Sequence, residues 1–253
     1  MCSVYTRRRF DEVLNVAGTD VRDAGWSMVL CRDLQAQYEL ELESIAFGEQ
    51  SMNIESVAAL REVLGEPHPI TASKKTSALT EEAINFIARA PMVIMTTVST
   101  DYGLDASPKG DAPGFVEVLD QQTVLVPDRP GNKLADGHQN VLQTGRVGLL
   151  FLVPNARETL RLSGSATLTA DPELLEKCAA RGKPAVLVTR VSIETCFFHC
   201  GKALIRSDLW KPETWEEPTR ISFGQMLAKA NGGDAQLADA IDQNIADDYV
   251  HNL

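Results

Sequence analysis

The stretch from Asp105 to Lys133, DASPKGDAPGFVEVLDQQTVLVPDRPGNK, gathers Lys109, Arg129, Asn132 and Lys133 among glycines and prolines, between short apolar runs. Side-chain cations and free backbone N–H groups on glycine-containing loops are what a phosphate needs. Loops held by a rigid strand scaffold are the usual place to build such a site. The sequence has no GxxxxGK[ST] run and no GxGxxG opening a helix, so the two common phosphate motifs do not account for it. Lys133 and Arg129 are the leading phosphate ligands, with Asn132 and the Gly131 N–H beside them. A guanidinium can grip a phosphate with two parallel hydrogen bonds, whereas an ammonium acts as a point charge. The competing reading has Asp128 and Arg129 pairing across a turn. Ser107 and Lys109 are expected to end a strand and face the SPKGD turn. Asp111 is expected to order that turn through its own backbone.

A second group lies further on. Lys202 and Arg206 are four apart, so on a helix they share a face, and Trp210 continues it. Two cations and an aromatic on one face suit an anionic aromatic ligand; a plain amphipathic helix anchored by Trp210 is the alternative. Arg161 stands between Leu160 and Leu162 in an alternating run and points opposite to them, toward solvent, a groove or a partner. Cys196, His199 and Cys200 are close in sequence, but no further Cys/His pair completes a closed metal site, so none is expected. No Ser-His-acid or Cys-His arrangement suggests a nucleophile.

These residues need elements to hold them. Asn53 to Leu64 reads as a helix capped by Asn53, with Val57, Leu60, Val63 and Leu64 on its apolar face and Gly65 as its stop. Pro67 to Ser77 reads as a linker. Thr80 caps a helix bearing Ala83, Ile84, Ile87 and Ala88 inward, which Pro91 ends. Strands are expected at Met92–Val98, Leu104–Ser107, Phe115–Leu119 and Thr123–Val126, with STDYG and DQQ as turns. Asn132–Gln143 reads as a helix with Leu134, Val141 and Leu142 inward. Val147, Leu149, Phe151 and Val153 alternate, as do Leu160, Leu162, Ala166 and Leu168. Asp171-Pro172 opens a helix closing near Gly182. Val186, Val188, Val191 and Ile193 belong to a last long strand. Beyond Trp215 the chain reads as one or two acidic, alanine-rich helices. The pattern specifies a mostly β, α+β fold: an antiparallel barrel with flanking helices.

The chain has 253 residues, enough for a sizeable core, with 44% hydrophobic and 23% charged residues. Net charge is −11, which argues against nucleic acid or an anionic membrane as partner. Residues 213–253 carry eight acidic and two basic side chains. Five cysteines without a secretory signal read as reduced thiols of a cytoplasmic protein. In residues 1–51, Leu30, Leu34, Tyr38 and Leu42 recur at helical spacing. Met52 looks like a natural start, which would make residues 1–51 an over-called or loosely docked extension. The expected organisation is an extension over 1–51, a barrel domain over 52–215 and an acidic helical segment over 216–253.

The runs SPKGD (Ser107 to Asp111), PGFV (Pro113 to Val116) and PDRPGNK (Pro127 to Lys133) resemble the pyridoxamine 5′-phosphate oxidase-related FMN-binding proteins. RVGLLFLVP (Arg146 to Pro154), ETLRLSG (Glu158 to Gly164) and FHCGKALIRSDLW (Phe198 to Trp210) fit the same bacterial subfamily, in the same order. The resemblance covers roughly residues 55 to 215. It implies a split β-barrel, non-covalent FMN and a homodimer with flavin at the subunit interface. It also implies that GNK binds the phosphate, that Ser107 and Lys109 lie along the flavin and its ribityl tail, and that the segment of Lys202, Arg206 and Trp210 closes over the flavin. True pyridoxamine phosphate oxidases end in an arginine-histidine-aspartate-arginine signature. This chain has HCGKALIRS instead, so pyridoxamine phosphate is not the expected substrate. The expectation is an FMN-dependent oxidoreductase acting on an unassigned small molecule, with NAD(P)H as a candidate donor. The alternatives are a non-catalytic flavin-binding or flavin-sensing protein, a haem-binding split barrel with His138 or His199 as axial ligand, and a deazaflavin in place of FMN.

Overall fold

The structure, a computed structural model, describes residues 53–251. The helical spacing at Leu30 to Leu42, the thiols of Cys2 and Cys31 and the start at Met52 lie outside the described residues. The chain divides between Glu66 and Pro67. Before that division lies helix α1, Val57–Leu64. Its cap is Ser56 rather than Asn53: the Ala59 N–H donates to Ser56 Oγ at 3.1 Å. Gly65 stops it at φ 72°, where a side chain would be strained.

After Pro67 the expected linker holds a short helix α2, Pro69–Ala72. Thr76 then bridges to Cys196, with backbone hydrogen bonds of 2.9 and 2.8 Å in the two directions. Helix α3, Glu81–Ile87, starts at Thr80, whose hydroxyl accepts from the Ala83 N–H. Ala83 and Ile87 are fully buried and Ile84 is half-buried, but Ala88, placed inward by the spacing, is exposed. The helix has already ended at Ile87, so the fourth position of the stripe no longer turns inward.

Seven strands follow: β1 Met92–Val98, β2 Leu104–Gly110, β3 Glu117–Asp120, β4 Thr123–Asp128, β5 Arg146–Leu152, β6 Thr159–Thr169 and β7 Leu187–His199. They form one antiparallel sheet in the order β2-β1-β5-β6-β7-β4-β3. The fold is the α+β, mostly β class that the alternation indicates. The barrel is open, because its edge strands β2 and β3 do not pair. The sheet nevertheless curls far enough for side chains of β2 to reach the end of β4, five places along. Inward-facing Val93, Met95, Leu149, Phe151, Leu160, Leu162 and Val191 form the core, with Ala83 and Ile87 of α3 packed on it. Each such side chain contributes about 1.5–3 kcal/mol by leaving water.

Several strands run past their expected ends. β2 continues through Pro108 to Gly110, which a proline permits because β2 is an edge strand with no outer neighbour to receive its missing N–H. β4 extends to Asp128 and β7 to His199. Helix α4 is Asp136–Thr144, shorter than the expected Asn132–Gln143. Its inward residues are Gly137, Asn140 and Val141, whereas Leu134 and Leu142 are 64% and 75% exposed. Helix α5, Pro172–Lys177, is capped by Asp171 and stops at Cys178, before Gly182. Helix α6 is only Lys202–Arg206. Helices α7, Phe223–Ala230, and α8, Ala235–His251, make up the acidic end. They are joined by Asp242, which accepts from the Ser222 hydroxyl at 2.6 Å and the Gly224 N–H at 2.8 Å.

Candidate functional site

A cavity of about 700 Å³ opens where the end of β2, the end of β4 and the start of α4 meet. β2 supplies Asp105, Ser107 and Lys109. The strand period places these three on one half-buried face, while Leu104, Ala106, Pro108 and Gly110 are exposed. β4 supplies Pro127 and Asp128. The loop 129–135 supplies Arg129, Gly131, Asn132 and Lys133, and α4 supplies Gly137 and His138. Six of the sequence-indicated residues, Ser107, Lys109, Arg129, Gly131, Asn132 and Lys133, therefore surround one space.

The cations around it are not equivalent. Lys109 Nζ lies 2.6 Å from Asp128 Oδ1, an ion pair that crosses from β2 to β4. Arg129 Nε donates to Asp111 Oδ2 at 2.9 Å, and its Nη1 donates to the Cys178 carbonyl at 2.9 Å. Arg129 thus pairs with Asp111, not with Asp128 across the turn. Asp111 also accepts from the Ala112 N–H at 2.8 Å, ordering its own turn as expected. Lys133 carries no carboxylate partner among the described residues. Its backbone is left-handed at φ 63°, as is that of Ala135 at φ 59°. Asn132 Oδ1 accepts from the Leu134 N–H at 3.1 Å, closing the loop on itself. The loop then enters α4 at Ala135, which offers no side-chain cap. The first N–H groups of α4 are therefore left for another acceptor, at the positive end of the helix dipole.

The other wall of the cavity is acidic and partly unsatisfied. His138 Nε2 lies 3.4 Å from Asp128 Oδ2, yet it makes no hydrogen bond there, and Asp105 Oδ2 is also buried without a partner. Burial pushes the His138 imidazole below its ordinary pKa. The Asp128 and Asp105 carboxylates oppose that shift, and Lys109 reinforces it. Asp105, Asp128 and His138 were not among the residues singled out for this cavity. The period-two spacing from Ser107 and Lys109 points to Asp105. The sequence points to His138 only as a candidate haem ligand.

The remaining indicated residues lie elsewhere and do not line this cavity. Arg161 is exposed on β6, with its guanidinium carbon 5.0 Å from the Phe197 ring centre. Lys202 and Arg206 are exposed on α6. Trp210 does not continue their face, because the helix stops at Arg206. Its indole N–H donates to the Ala156 carbonyl at 2.9 Å, which anchors it to the loop between β5 and β6. Cys196 is buried inward on β7 and Cys200 is exposed beyond the strand end.

Residues 79–200 match the family model for pyridoxamine 5′-phosphate oxidase. The strand-rich part of the chain is pyridoxamine 5′-phosphate oxidase-related. Among solved structures, the chain is similar to HupZ of Group A Streptococcus, at 18% identity and a TM-score of 0.40, covering 47% of this chain and 98% of that one. It is similar to a putative pyridoxamine 5′-phosphate oxidase of Lactobacillus delbrueckii, at 24% identity and a TM-score of 0.40, covering 49% and 98%. It is also similar to an FMN-binding protein of Syntrophomonas wolfei, at 11% identity and a TM-score of 0.35, covering 56% and 95%. No curated protein matches the chain in sequence. The family match spans every element that lines the main cavity, from β2 to the start of β7. No helix among the described residues is long and apolar enough to cross a membrane.

Proposed function

We infer that the protein binds FMN in the 700 Å³ cavity and serves as an FMN-dependent oxidoreductase. The observation that carries this is Lys133: a cation with no carboxylate partner, on a tight loop leading into an uncapped helix start. Lys133, the Gly131 N–H and the first N–H groups of α4 would hold the phosphate. The buried, unpartnered Asp105 oxygen and His138 nitrogen suit the hydroxyls of a ribityl chain, one accepting and the other donating or accepting with its proton state. Ser107 and Lys109 lie on the same strand face. Bound FMN would supply two-electron redox chemistry. The chain's own contribution is to hold the phosphate, fix the polyol chain and keep Lys109 positioned by Asp128. Arg129 acts as a structural tie between the two sheet ends rather than as a free phosphate ligand.

A homodimer with flavin at the interface remains part of the proposal. In it Arg161, Lys202, Arg206 and Trp210, which lie away from this cavity, would approach the flavin of the other subunit. The haem alternative is less favoured, because His138 turns its buried Nε2 toward Asp128. A deazaflavin would use the same phosphate loop. The test is an absorbance spectrum of the purified protein after FMN is added and free ligand removed by gel filtration. Flavin bands that travel with the protein, and bleach with NAD(P)H, support the reading. Flavin bands that no reductant bleaches favour a binding or sensing protein. A colourless protein that takes up haem or a deazaflavin overturns FMN.

A further inference from the structure

His138 stands in the first turn of α4, and its side chain, 12% exposed, lies on the wall of the main cavity. Burial holds the imidazole below its ordinary pKa. A cation at this positive end of the helix is disfavoured further. The charged groups around it come from several elements. β2 brings Asp105 and Lys109, β4 brings Asp128, the loop 129–135 brings Lys133, and α4 itself brings the exposed Asp136. β1 presents the neutral Thr97, whose hydroxyl accepts from Asn140 Nδ2 at 3.1 Å.

The imidazole has a proton acceptor in place that it does not use. Its Nε2 is buried without a hydrogen bond, yet Asp128 Oδ2 lies 3.4 Å away. Lys109 engages the other oxygen, Oδ1, at 2.6 Å. A proton on Nε2 can therefore be held by Asp128 without displacing Lys109. The cavity is also short of positive charge for an anion. Its wall carries Asp105, Asp128 and Asp136 against Lys109, Arg129 and Lys133. Arg129 is offset by Asp111, which is not part of this wall, so three carboxylates face two cations. Asp105 Oδ2 is buried without a partner, so close to Gly137 that a Cβ there would lie 2.7 Å from it. An anion at the start of α4 thus meets an excess of negative charge unless one more cation forms.

We propose that His138 supplies that cation and so fits the cavity to the charge of its ligand: the imidazole is neutral in the empty cavity, and Nε2 takes a proton from solvent as an anion binds, with the Asp128 carboxylate as its acceptor. That the ligand is FMN rests on the flavin reading; the coupling of a proton to an anion does not.

The test is calorimetric titration of FMN into the full chain at about pH 7, repeated in buffers of different ionisation enthalpy, which counts the protons exchanged on binding. The FMN phosphate, with a second pKa of about 6, exchanges protons of its own, so the readout is the difference between wild type and His138→Gln. Wild type should take up more protons, by a fraction of one per FMN. Its affinity should also fall more steeply as pH rises, by up to about tenfold per pH unit. A uniform loss of affinity in His138→Gln leaves this comparison of slopes intact. Asp128→Asn, a second and independent variant, should also reduce the uptake, because Nε2–H loses its acceptor. Equal uptake and parallel pH profiles in wild type and His138→Gln overturn the proposal, as does undiminished uptake in Asp128→Asn. If FMN does not bind, the flavin reading falls by itself, and the same titrations use sulfate, a dianion that does not titrate near neutral pH. Sulfate binding with an uptake that His138→Gln abolishes upholds the proposal. No sulfate binding, or the same uptake in the variant, overturns it.

Discussion

Replacing Lys133 by alanine separates ligand binding from folding at this site. Lys133 is exposed and has no carboxylate partner, so its truncation should change stability by no more than about 0.5 kcal/mol, as at other surface positions. Its contribution appears only when an anion is present. A hydrogen bond to a charged group contributes about 1.5–3 kcal/mol, and solvent screening at a cavity mouth lowers the bottom of that range. The expected loss of FMN affinity is therefore about 1–3 kcal/mol, or roughly 5- to 150-fold in Kd. Quenching of FMN fluorescence on titration with protein reads this directly. Repeating it at higher salt should shrink the difference between wild type and variant. Arg129→Gln is the contrasting variant. Arg129 holds Asp111, only 10% exposed, and the Cys178 carbonyl. Its loss should cost about 1–3 kcal/mol of stability by stranding those acceptors. Unchanged FMN affinity in Lys133→Ala would refute the assignment. So would a loss of stability in that variant as large as that of Arg129→Gln, because Lys133 would then be a structural residue.

Three further outcomes follow from the packing. Gly164 sits where the β6–β7 register shifts, and a Cβ there would lie 1.9 Å from the Ser192 carbonyl oxygen, so Gly164→Ala should destabilise by at least about 2 kcal/mol in chemical denaturation. Thr80→Ala removes the cap of α3 and should cost about 1 kcal/mol by the same measurement. His138 has a folded pKa below its unfolded value, so its contribution to stability is full above the ordinary range near 6.5 and is lost as pH falls through the folded pKa. His138→Gln should therefore flatten the acid side of a plot of melting temperature against pH, and an unaltered acid limb would show that burial of this imidazole does not govern it.

The strand cores were the most legible part of the sequence, for a reason visible in β5. Val147, Leu149, Phe151 and Val153 alternate without interruption, and all four are buried at 5% exposure or less. Period two leaves little freedom once one face is apolar. The ends of elements were less legible because other contacts decide them. β2 runs on through Pro108 because no strand lies outside it. α4 starts late because the loop 129–135 uses its residues to turn, with Lys133 and Ala135 in left-handed backbone conformations that helical periodicity does not encode.

The candidate site divides along the same line. Residues on one continuous stretch, Ser107 to Lys133, do surround one cavity. Which cation is committed and which is spare was not legible, because it depends on partners distant in sequence. Asp111 and the Cys178 carbonyl claim Arg129, and Asp128 claims Lys109 across the split between β2 and β4. These pairs hold the open ends of the barrel in register while leaving Lys133 and the start of α4 facing the cavity. Lys109 and Arg129 are each held by a carboxylate at the cavity wall, whereas Lys133 lines the same cavity with no carboxylate partner among the described residues. Arg161 and Trp210 show the opposite case. Their residue types suit a flavin, but one strand face and one indole hydrogen bond place them away from this cavity.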